Sequence, residues 1–209
     1  MLNEGTITSV KVTGTVNGTG GENGYAGGIV AWNKGTVEKC ANAATVSGTS
    51  QCNGGIVGDN PSEGIIDQCY NTGSISSSAN FQPRAGGITG WSNGTISNCY
   101  NKGQVSAGRA GGISGALGAA GATPSVNNCY NTFGYSGFAA LSCSVTNPSD
   151  ISVNEFFYNT SWNIVSNGYT APAFTSKALS QTNDLVISQP SIWELRPGAA
   201  YPTLINNPE

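Results

Sequence analysis

The chain has 209 residues and no His, and 8 Lys and Arg against 11 Asp and Glu give it a net charge of −3. Only 9% of the residues are charged, against about 25% in ordinary soluble domains, so the surface is expected to be mostly Ser, Thr, Asn and backbone. No basic run can neutralise phosphates, which argues against nucleic-acid binding. No apolar run reaches the roughly 18 residues of a membrane span. Without a CxxC pair or His, no metal site is expected.

One pattern recurs at intervals of 29 or 30 residues through roughly the first two thirds of the chain. Each copy begins at one slot, which holds Gly5, Gly35, Gly64, Gly94 and Pro124. An apolar residue follows two positions later, at Ile7, Val37, Ile66, Ile96 and Val126. A second apolar site lies at Val16, Val46, Ile75, Val105 and Tyr135. The copies close on glycine pairs that precede Ile29, Ile56, Ile88 and Ile113.

The spacing within a copy predicts the fold. Three apolar sites with β-branched or small neighbours, separated by Gly, Asn, Ser and Thr, indicate three short strands joined by turns. One copy cannot bury these strands alone, but copies stacked about 4.8 Å apart can. We therefore predict an all-β parallel β-solenoid of about five turns of ~30 residues over residues 1–141. A right-handed turn is expected by analogy with most β-helices, and residues 142–209 are expected to form a last partial turn and a cap.

Two residue columns, one of cysteines and one of asparagines, are predicted to lie inside the solenoid and to stabilise the stack. Cys40, Cys69, Cys99 and Cys129 share a slot that Val10 fills in the first turn, which is typical of a small buried hydrophobe. Reduced thiols are expected, because side chains that run parallel do not reach disulfide geometry. Pairing of Cys52 with Cys143 is not expected either, since they lie in other columns. Two residues after the cysteines come Asn42, Asn71, Asn101 and Asn131, which are expected to form a hydrogen-bonded amide ladder.

Aromatic columns are the candidate ligand-binding residues. Trp32 and Trp91 share one offset after the glycine pair, two turns and therefore about 10 Å apart, with Asp59 in the intervening slot. Exposed indoles at that spacing would suit stacking on an extended glycan; alternatively, each packs over a neighbouring loop. Tyr70, Tyr100 and Tyr130 are predicted to point outward and stack, either as a structural ladder or as ligand contacts.

The position two residues before the glycine pair varies in residue type. It holds Tyr25, Cys52, Arg84 and Arg109 in successive turns, so its basic character covers two turns only. This pattern indicates a solvated edge.

A catalytic role has one candidate pair. Glu38 and Asp67 occupy one column in adjacent turns, a spacing compatible with the two carboxylates of a retaining glycosidase. However, the next members are Ser97 and Asn127, no basic cluster accompanies them, and the sequence has no His to activate a serine. The pair is therefore expected to be a solvated surface pair, and the chain is predicted not to be an enzyme.

The repeat weakens after about residue 142. The stretch from Glu155 to Thr160, EFFYNT, matches the Cys-Tyr-Asn-Thr segment of earlier copies with aromatics in place of cysteine. Trp162, Tyr169, Phe174, a short helix near residues 176–182 and a segment around Trp193 follow. Because an open solenoid end exposes a strand edge and core, this aromatic segment is expected to cap it.

Several segments resemble the GLUG-motif repeats of large bacterial surface proteins. They are GIVA from Gly28, GIVG from Gly55, GITG from Gly87, GISG from Gly112, CYNTG from Cys69 and CYNKG from Cys99. The resemblance implies a secreted or cell-surface, adhesin-like bacterial protein. GLUG-type repeats also occur in surface-attached IgA peptidases, where they are not the catalytic part.

The expected function is a non-catalytic extracellular adhesion or spacer module with no cofactor. Its partner would be a host or environmental surface ligand, with glycans among the candidates, and the chain is expected to be a fragment of a longer protein with further domains. Two alternatives are a carbohydrate-binding module that uses Trp32 and Trp91, and a polysaccharide-active β-helix enzyme that uses Glu38 and Asp67.

Overall fold

The computed structural model describes residues 1–134, 139–146, 148–161, 163–165, 175–207 and 209. In this part of the chain, strands of successive repeats pair in parallel, so that Thr36, Ile65 and Thr95 lie side by side in consecutive turns. The predicted fold class, a parallel β-solenoid of about five turns, is confirmed. Of the predicted C-terminal aromatics, Trp162, Tyr169 and Phe174 lie outside the described residues.

Three parallel sheets run along the solenoid. Sheet 1 has 11 strands in two ladders that meet in one long strand. The first ladder comprises Leu2–Asn3, Val30–Asn33, Val57–Asn60, Thr89–Ser92, Ser114–Leu117, Ala139–Val145 and Asn163–Val165. The second comprises Tyr25–Gly27, Cys52–Gly54, Arg84–Gly86 and Arg109–Gly111.

Sheet 2 also has 11 strands in two ladders, and sheet 3 has four strands. The first ladder of sheet 2 comprises Thr6–Thr8, Thr36–Glu38, Ile65–Asp67, Thr95–Ser97, Ser125–Asn131, Ser152–Tyr158 and Ser176–Ala178. The second comprises Lys11–Val12, Ala41–Asn42, Tyr70–Asn71 and Tyr100–Asn101. Sheet 3 comprises Thr15–Gly18, Thr45–Gly48, Ile75–Ser76 and Val105–Ser106.

Sheet 1 is divided within each turn at positions such as 28–29, and a corner divides sheet 2, so a regular turn contains five short strands where the sequence predicted three. The residue at this corner has a positive φ between 50 and 59° in six successive turns, at Ser9, Lys39, Gln68, Asn98, Asn128 and Glu155. A left-handed residue redirects the chain. It interrupts the strand in the first four turns, whereas Ser125–Asn131 and Ser152–Tyr158 run through the corner. The two ladders are therefore separate strands of one sheet in those four turns.

The cysteine column lies directly after this corner and does more than fill space. The backbone N–H groups of Cys40, Cys69 and Cys99 donate to the sulfur of the cysteine in the next turn, at 3.3–3.4 Å. These sulfurs thus satisfy N–H groups that are buried at the corner. The prediction of reduced thiols is confirmed for the whole column.

The asparagine ladder is confirmed. Asn42 donates to Asn71, Asn71 to Asn101 and Asn101 to Asn131 through side-chain amides, at 2.8–3.0 Å. Each amide also bonds the backbone two residues ahead, as Asn71 does with the carbonyl and N–H of Gly73. All four side chains are fully buried. Each one supplies hydrogen bonds to the backbone of its own turn and to the asparagine of a neighbouring turn.

The second glycine of each pair makes room for this ladder. A Cβ added to Gly55 would lie 2.7 Å from Cγ of Asn71, and Gly28, Gly87 and Gly112 meet Asn42, Asn101 and Asn131 in the same way. The Gly-Gly and Asn columns are therefore two halves of one packing contact.

A second amide ladder, which the sequence analysis did not predict, joins the first three turns. Asn3 donates to Asn33 at 2.8 Å, Asn33 to Asn60 at 2.9 Å, and Asn60 to the hydroxyl of Ser92 at 3.2 Å. Its members lie at the last residue of sheet 1 strands, so both sheets end their strands on stacked amides.

Residues 183–207, the C-terminal segment, lie along the side of the solenoid. They contain the helix Asn183–Ser188 and an antiparallel pair, Trp193–Glu194 with Thr203–Leu204. The Trp193 ring lies 6.0 Å from that of Tyr100 and 5.8 Å from that of Tyr130. Further on, Asn207 donates to the carbonyls of Cys40 and Gln68. The apolar tyrosine column provides the surface on which this segment packs.

Two expectations for this region have different outcomes. Phe156 pairs with Cys129 and Phe157 with Tyr130, so the EFFYNT stretch does continue the repeat. The helix predicted near residues 176–182 is wrong in part, because Ser176–Ala178 is a strand that pairs with Phe156–Tyr158; a short 3-10 helix, Leu179–Gln181, follows it. Two other 3-10 helices are Gly21–Asn23 and Pro148–Asp150. No helix in the described ranges has the length and apolarity to cross a membrane.

Replacing Asn71 with Ala should lower the free energy of unfolding by about 2–4 kcal/mol, because it removes two ladder bonds and the backbone bonds of its own turn from a buried site. Urea denaturation followed by circular dichroism measures this loss. Asn23→Ala, at an exposed asparagine, is the control and should change stability by less than about 0.5 kcal/mol. Equal stability of the Asn71 variant and the wild type would contradict the role of the ladder.

Candidate functional site

Two residue columns of sheet 1 meet in a patch of aromatic and charged side chains. Strand pairing aligns Tyr25, Cys52 and Arg84 in one column and Trp32, Asp59 and Trp91 in the other. We call these six residues the Trp–Asp–Trp patch. The columns touch: the rings of Tyr25 and Trp32 are 6.0 Å apart, and the Arg84 guanidinium lies 4.6 Å from the Trp91 ring centre.

Glycine brings the two columns together. A Cβ added to Gly90 would lie 2.7 Å from the backbone nitrogen of Asn53, and one added to Gly58 would lie 2.8 Å from that of Ala26. The strand that ends each repeat therefore packs directly on the backbone of the strand before the glycine pair. This close approach explains why glycine recurs at the last position of the Gly-Ile-x-Gly pattern.

The two indoles differ in exposure. Trp32 is 38% exposed, with the Lys34 ammonium 5.3 Å from its ring centre. Trp91 is half-buried, and its indole N–H donates to the carbonyl of Gly118 at 3.2 Å. The predicted shared column is present, and Trp91 also packs over a loop as the alternative proposed.

Asp59 and Arg84 are the buried charges of the patch. Each is only 8% exposed. Arg84 donates to the Cys52 sulfur at 3.7 Å and to the Gln82 side chain at 3.1 Å. The prediction of a solvated edge is therefore wrong for Arg84, since the guanidinium lies over Trp91 and under neighbouring side chains.

These two charges are not paired with each other. No ion pair joins Asp59 to Arg84 within the described residues. Oδ1 of Asp59 and Nε of Arg84 are both shielded from solvent, and neither has a hydrogen-bond partner. Buried polar groups of folded proteins are nearly always satisfied, so these two atoms are candidates for a hydrogen bond to a further group, water included.

Burial is the largest cause of the raised pKa values of Tyr25, Cys52 and Asp59. Loss of hydration raises the pKa of Asp59 to about 6, although the Arg84 charge lowers it in part. Burial also raises the pKa of the Cys52 thiol to about 11, which keeps the thiol protonated and unreactive at neutral pH. The pKa of Tyr25 is raised by burial first and by the Asp59 charge second.

The three tyrosines predicted as ligand contacts lie elsewhere and are covered. Tyr70, Tyr100 and Tyr130 stack with ring centres 5.0 and 4.8 Å apart and nearly parallel planes, as expected for a ladder. All three are buried, and Trp193 and Pro202 of the C-terminal segment pack on them. The prediction of a ligand role for their rings is therefore wrong, because the rings are buried in one cluster with Trp193 and Leu204.

The two candidate catalytic carboxylates lie side by side in sheet 2, as predicted. The Asp67 carboxylate accepts hydrogen bonds from Ser97, Asn98 and Gln68 at 2.7–3.0 Å. It is thus held by three structural donors.

The remaining predicted groups lie where they support the fold. The cysteine and asparagine columns lie inside the solenoid, away from solvent. Cys52 is a free thiol in the patch. The described residues contain no group of three or more His, Cys, Asp or Glu that is arranged to hold a metal ion.

Sequence analysis identified Trp32 and Trp91 but did not recognise the charged pair between them. Asp59 was noted only as the residue in the intervening slot, and Arg84 was assigned to an edge. One sequence feature could have indicated Arg84 as a site residue. Cys52 and Arg84 share a column with Tyr25, so this column begins with an aromatic residue.

The fold is similar to that of a solved bacterial protein. The match is the crystal structure of a putative immunoglobulin A1 protease from Bacteroides ovatus, with a TM-score of 0.59 and 17% sequence identity, over 94% of this chain and 75% of that one. At this identity the likeness shows a shared fold. Neither a protein-family model nor a curated protein matches the chain.

Asp59 should make the protein less stable as the pH rises. Its folded pKa of about 6 exceeds the ordinary value of 3.8, so the folded state holds the proton more tightly than the unfolded state does. The associated stability is present below pH 4 and lost as the pH rises through 6.

Between pH 4 and pH 7 the wild type should therefore lose about 2–3 kcal/mol relative to Asp59→Asn. Urea denaturation at several pH values measures this difference, with the exposed Glu63→Gln as the control that should follow the wild type. Parallel pH profiles of the wild type and Asp59→Asn would contradict the assigned burial.

Proposed function

We propose that this chain is a non-catalytic adhesion module of a bacterial cell-surface or secreted protein, whose solenoid binds an extended glycan through the Trp–Asp–Trp patch. The single observation that supports this most directly is the shared column of Trp32 and Trp91, two turns apart, with Trp32 exposed. Two strand spacings separate the indoles by about 10 Å, close to the repeat of a β-linked disaccharide.

Rigidity supports a binding role for this face. Trp91 is fixed by its bond to Gly118 and by the Arg84 guanidinium, while Tyr25 and Lys34 flank Trp32. Ordered aromatic side chains lose little entropy on binding. Binding sites for small polar ligands also combine apolar surfaces with a few fixed polar groups, and the patch has both.

The surface location and the adhesin-like role rest on the resemblance of the repeats to GLUG-motif proteins. The low charge content supports the same proposal, because a surface of Ser, Thr, Asn and backbone suits contact with polar, uncharged polymers. The further domains of the parent protein would be carried or spaced by the solenoid.

A catalytic function has less support. Asp67, one of the two adjacent carboxylates, is engaged by three donors. The name of the structural neighbour refers to a protease, but 17% identity does not carry an activity to this chain. The sequence also contains no His for a serine or cysteine triad.

A glycan array probed with the whole chain tests the proposal. The wild type should bind a restricted set of β-linked glycans, and the Trp32→Ala/Trp91→Ala variant should bind them at least about tenfold more weakly, a loss of about 1.4 kcal/mol or more. Circular dichroism checks that the variant is folded.

Ile187→Ala is the control, because Ile187 is a highly exposed apolar residue in the C-terminal helix, outside the patch. Its glycan profile should equal that of the wild type. Wild-type protein that binds no glycan, or a folded double variant that binds as well as the wild type, would contradict the proposal.

A further inference from the structure

The unpaired atoms between the two indoles indicate what the patch binds. Asp59 lies in register between Trp32 and Trp91, and the Arg84 guanidinium lies against the Trp91 ring. Oδ1 of Asp59 offers an unused acceptor, and Nε of Arg84 offers an unused donor. Both are held on short glycine-bounded strands, so their positions are fixed by the solenoid.

We propose that Asp59 and Arg84 bind adjacent hydroxyl groups of a neutral sugar residue that lies between the indoles of Trp32 and Trp91. This inference rests on the proposed function and names its ligand class. One hydroxyl donates to Asp59, and its neighbour accepts from Arg84.

The chemistry of the pair selects hydroxyls over other groups. A hydroxyl is both donor and acceptor, whereas a carboxylate offers acceptors only and an ammonium donors only. A ligand carboxylate would satisfy Arg84 but leave Asp59 without a donor and place two negative charges together. A ligand ammonium would satisfy Asp59 and leave Arg84 unsatisfied beside a like charge.

Burial makes this selection strong. Because both atoms are shielded from solvent, a ligand hydroxyl reaches them only when the side chains that cover them move aside, and an analogue that leaves one of them unpaired loses affinity. The two terminal nitrogens of Arg84 each donate one hydrogen bond, to Cys52 and to Gln82. The guanidinium is therefore oriented before the ligand arrives.

Isothermal titration calorimetry with four β-1,4-linked hexasaccharides tests the inference. Three probes are neutral (cellohexaose, mannohexaose and xylohexaose), and the fourth is the acidic hexamer of mannuronate. We expect at least one neutral probe to bind more tightly than the mannuronate hexamer. For that probe, Asp59→Asn and Arg84→Lys should each weaken binding at least about tenfold, because Asp59→Asn replaces a carboxylate acceptor with a weaker neutral amide oxygen and Arg84→Lys removes the Nε donor.

Two control variants keep the test specific. Glu63→Gln removes an exposed carboxylate near Asp59 in sequence, and Arg109→Lys changes the next basic residue of the Arg84 column, which lies one turn further on. Both should bind as the wild type does. Near-ultraviolet circular dichroism checks packing in all variants, and Asp59→Asn provides the result if Arg84→Lys does not fold.

The outcomes separate this inference from the proposed function. If Asp59→Asn and Arg84→Lys bind as the wild type while the Trp32→Ala/Trp91→Ala variant does not, the hydroxyl-binding pair is overturned and the glycan-binding face stands. Tighter binding of mannuronate than of every neutral probe overturns the ligand class. Binding of none of the four hexasaccharides overturns this inference and leaves the glycan array to judge the proposed function.

Discussion

The contact between stacked asparagine amides and the glycine pair fixes the register of this solenoid. Each amide of the ladder from Asn42 to Asn131 bonds the next turn and its own backbone, in a space left by a missing Cβ. Parallel strands slide in register at little cost when their side chains are small and polar. A buried amide chain makes such a slip expensive, because it would leave several donors and acceptors without partners.

Register is also what creates the candidate site. The residues of the Trp–Asp–Trp patch are 25 to 91 in the sequence, and only the stacking of three turns brings them together. Gly58 and Gly90 then let their strands approach the backbone of the preceding turn closely. The same geometry buries Asp59 and Arg84 without joining them, which costs stability. Functional sites often retain such unfavourable groups because a ligand satisfies them.

Much of the fold follows from the sequence because periodicity is a direct consequence of stacking. The columns of Val37, Cys40 and Asn42 recur at the repeat interval, and each occupies the predicted interior position. The periodicity does not predict the backbone conformation at the corner of sheet 2. The corner residue varies between Ser, Lys, Gln, Asn and Glu, so its positive φ has no residue signature. The division of sheet 2 could therefore not be predicted.

The candidate site was predictable only in part, for a related reason. Trp32 and Trp91 share an offset, so their common column could be inferred, whereas contacts between two columns depend on how closely strands of one turn pack. The C-terminal segment shows the same limit: its aromatics indicate that it packs on the solenoid, but the sequence does not show that Trp193 lies against the buried tyrosine column. This position depends on tertiary contacts that no local pattern specifies.

Nuclear magnetic resonance of the side-chain amides tests the central claim most directly. If the ladder holds the register, the amide protons of Asn42, Asn71 and Asn101 should show nuclear Overhauser contacts with the turn that follows, and they should exchange with solvent far more slowly than those of the exposed Asn23. Rapid exchange of the ladder amides, without contacts between turns, would contradict the account.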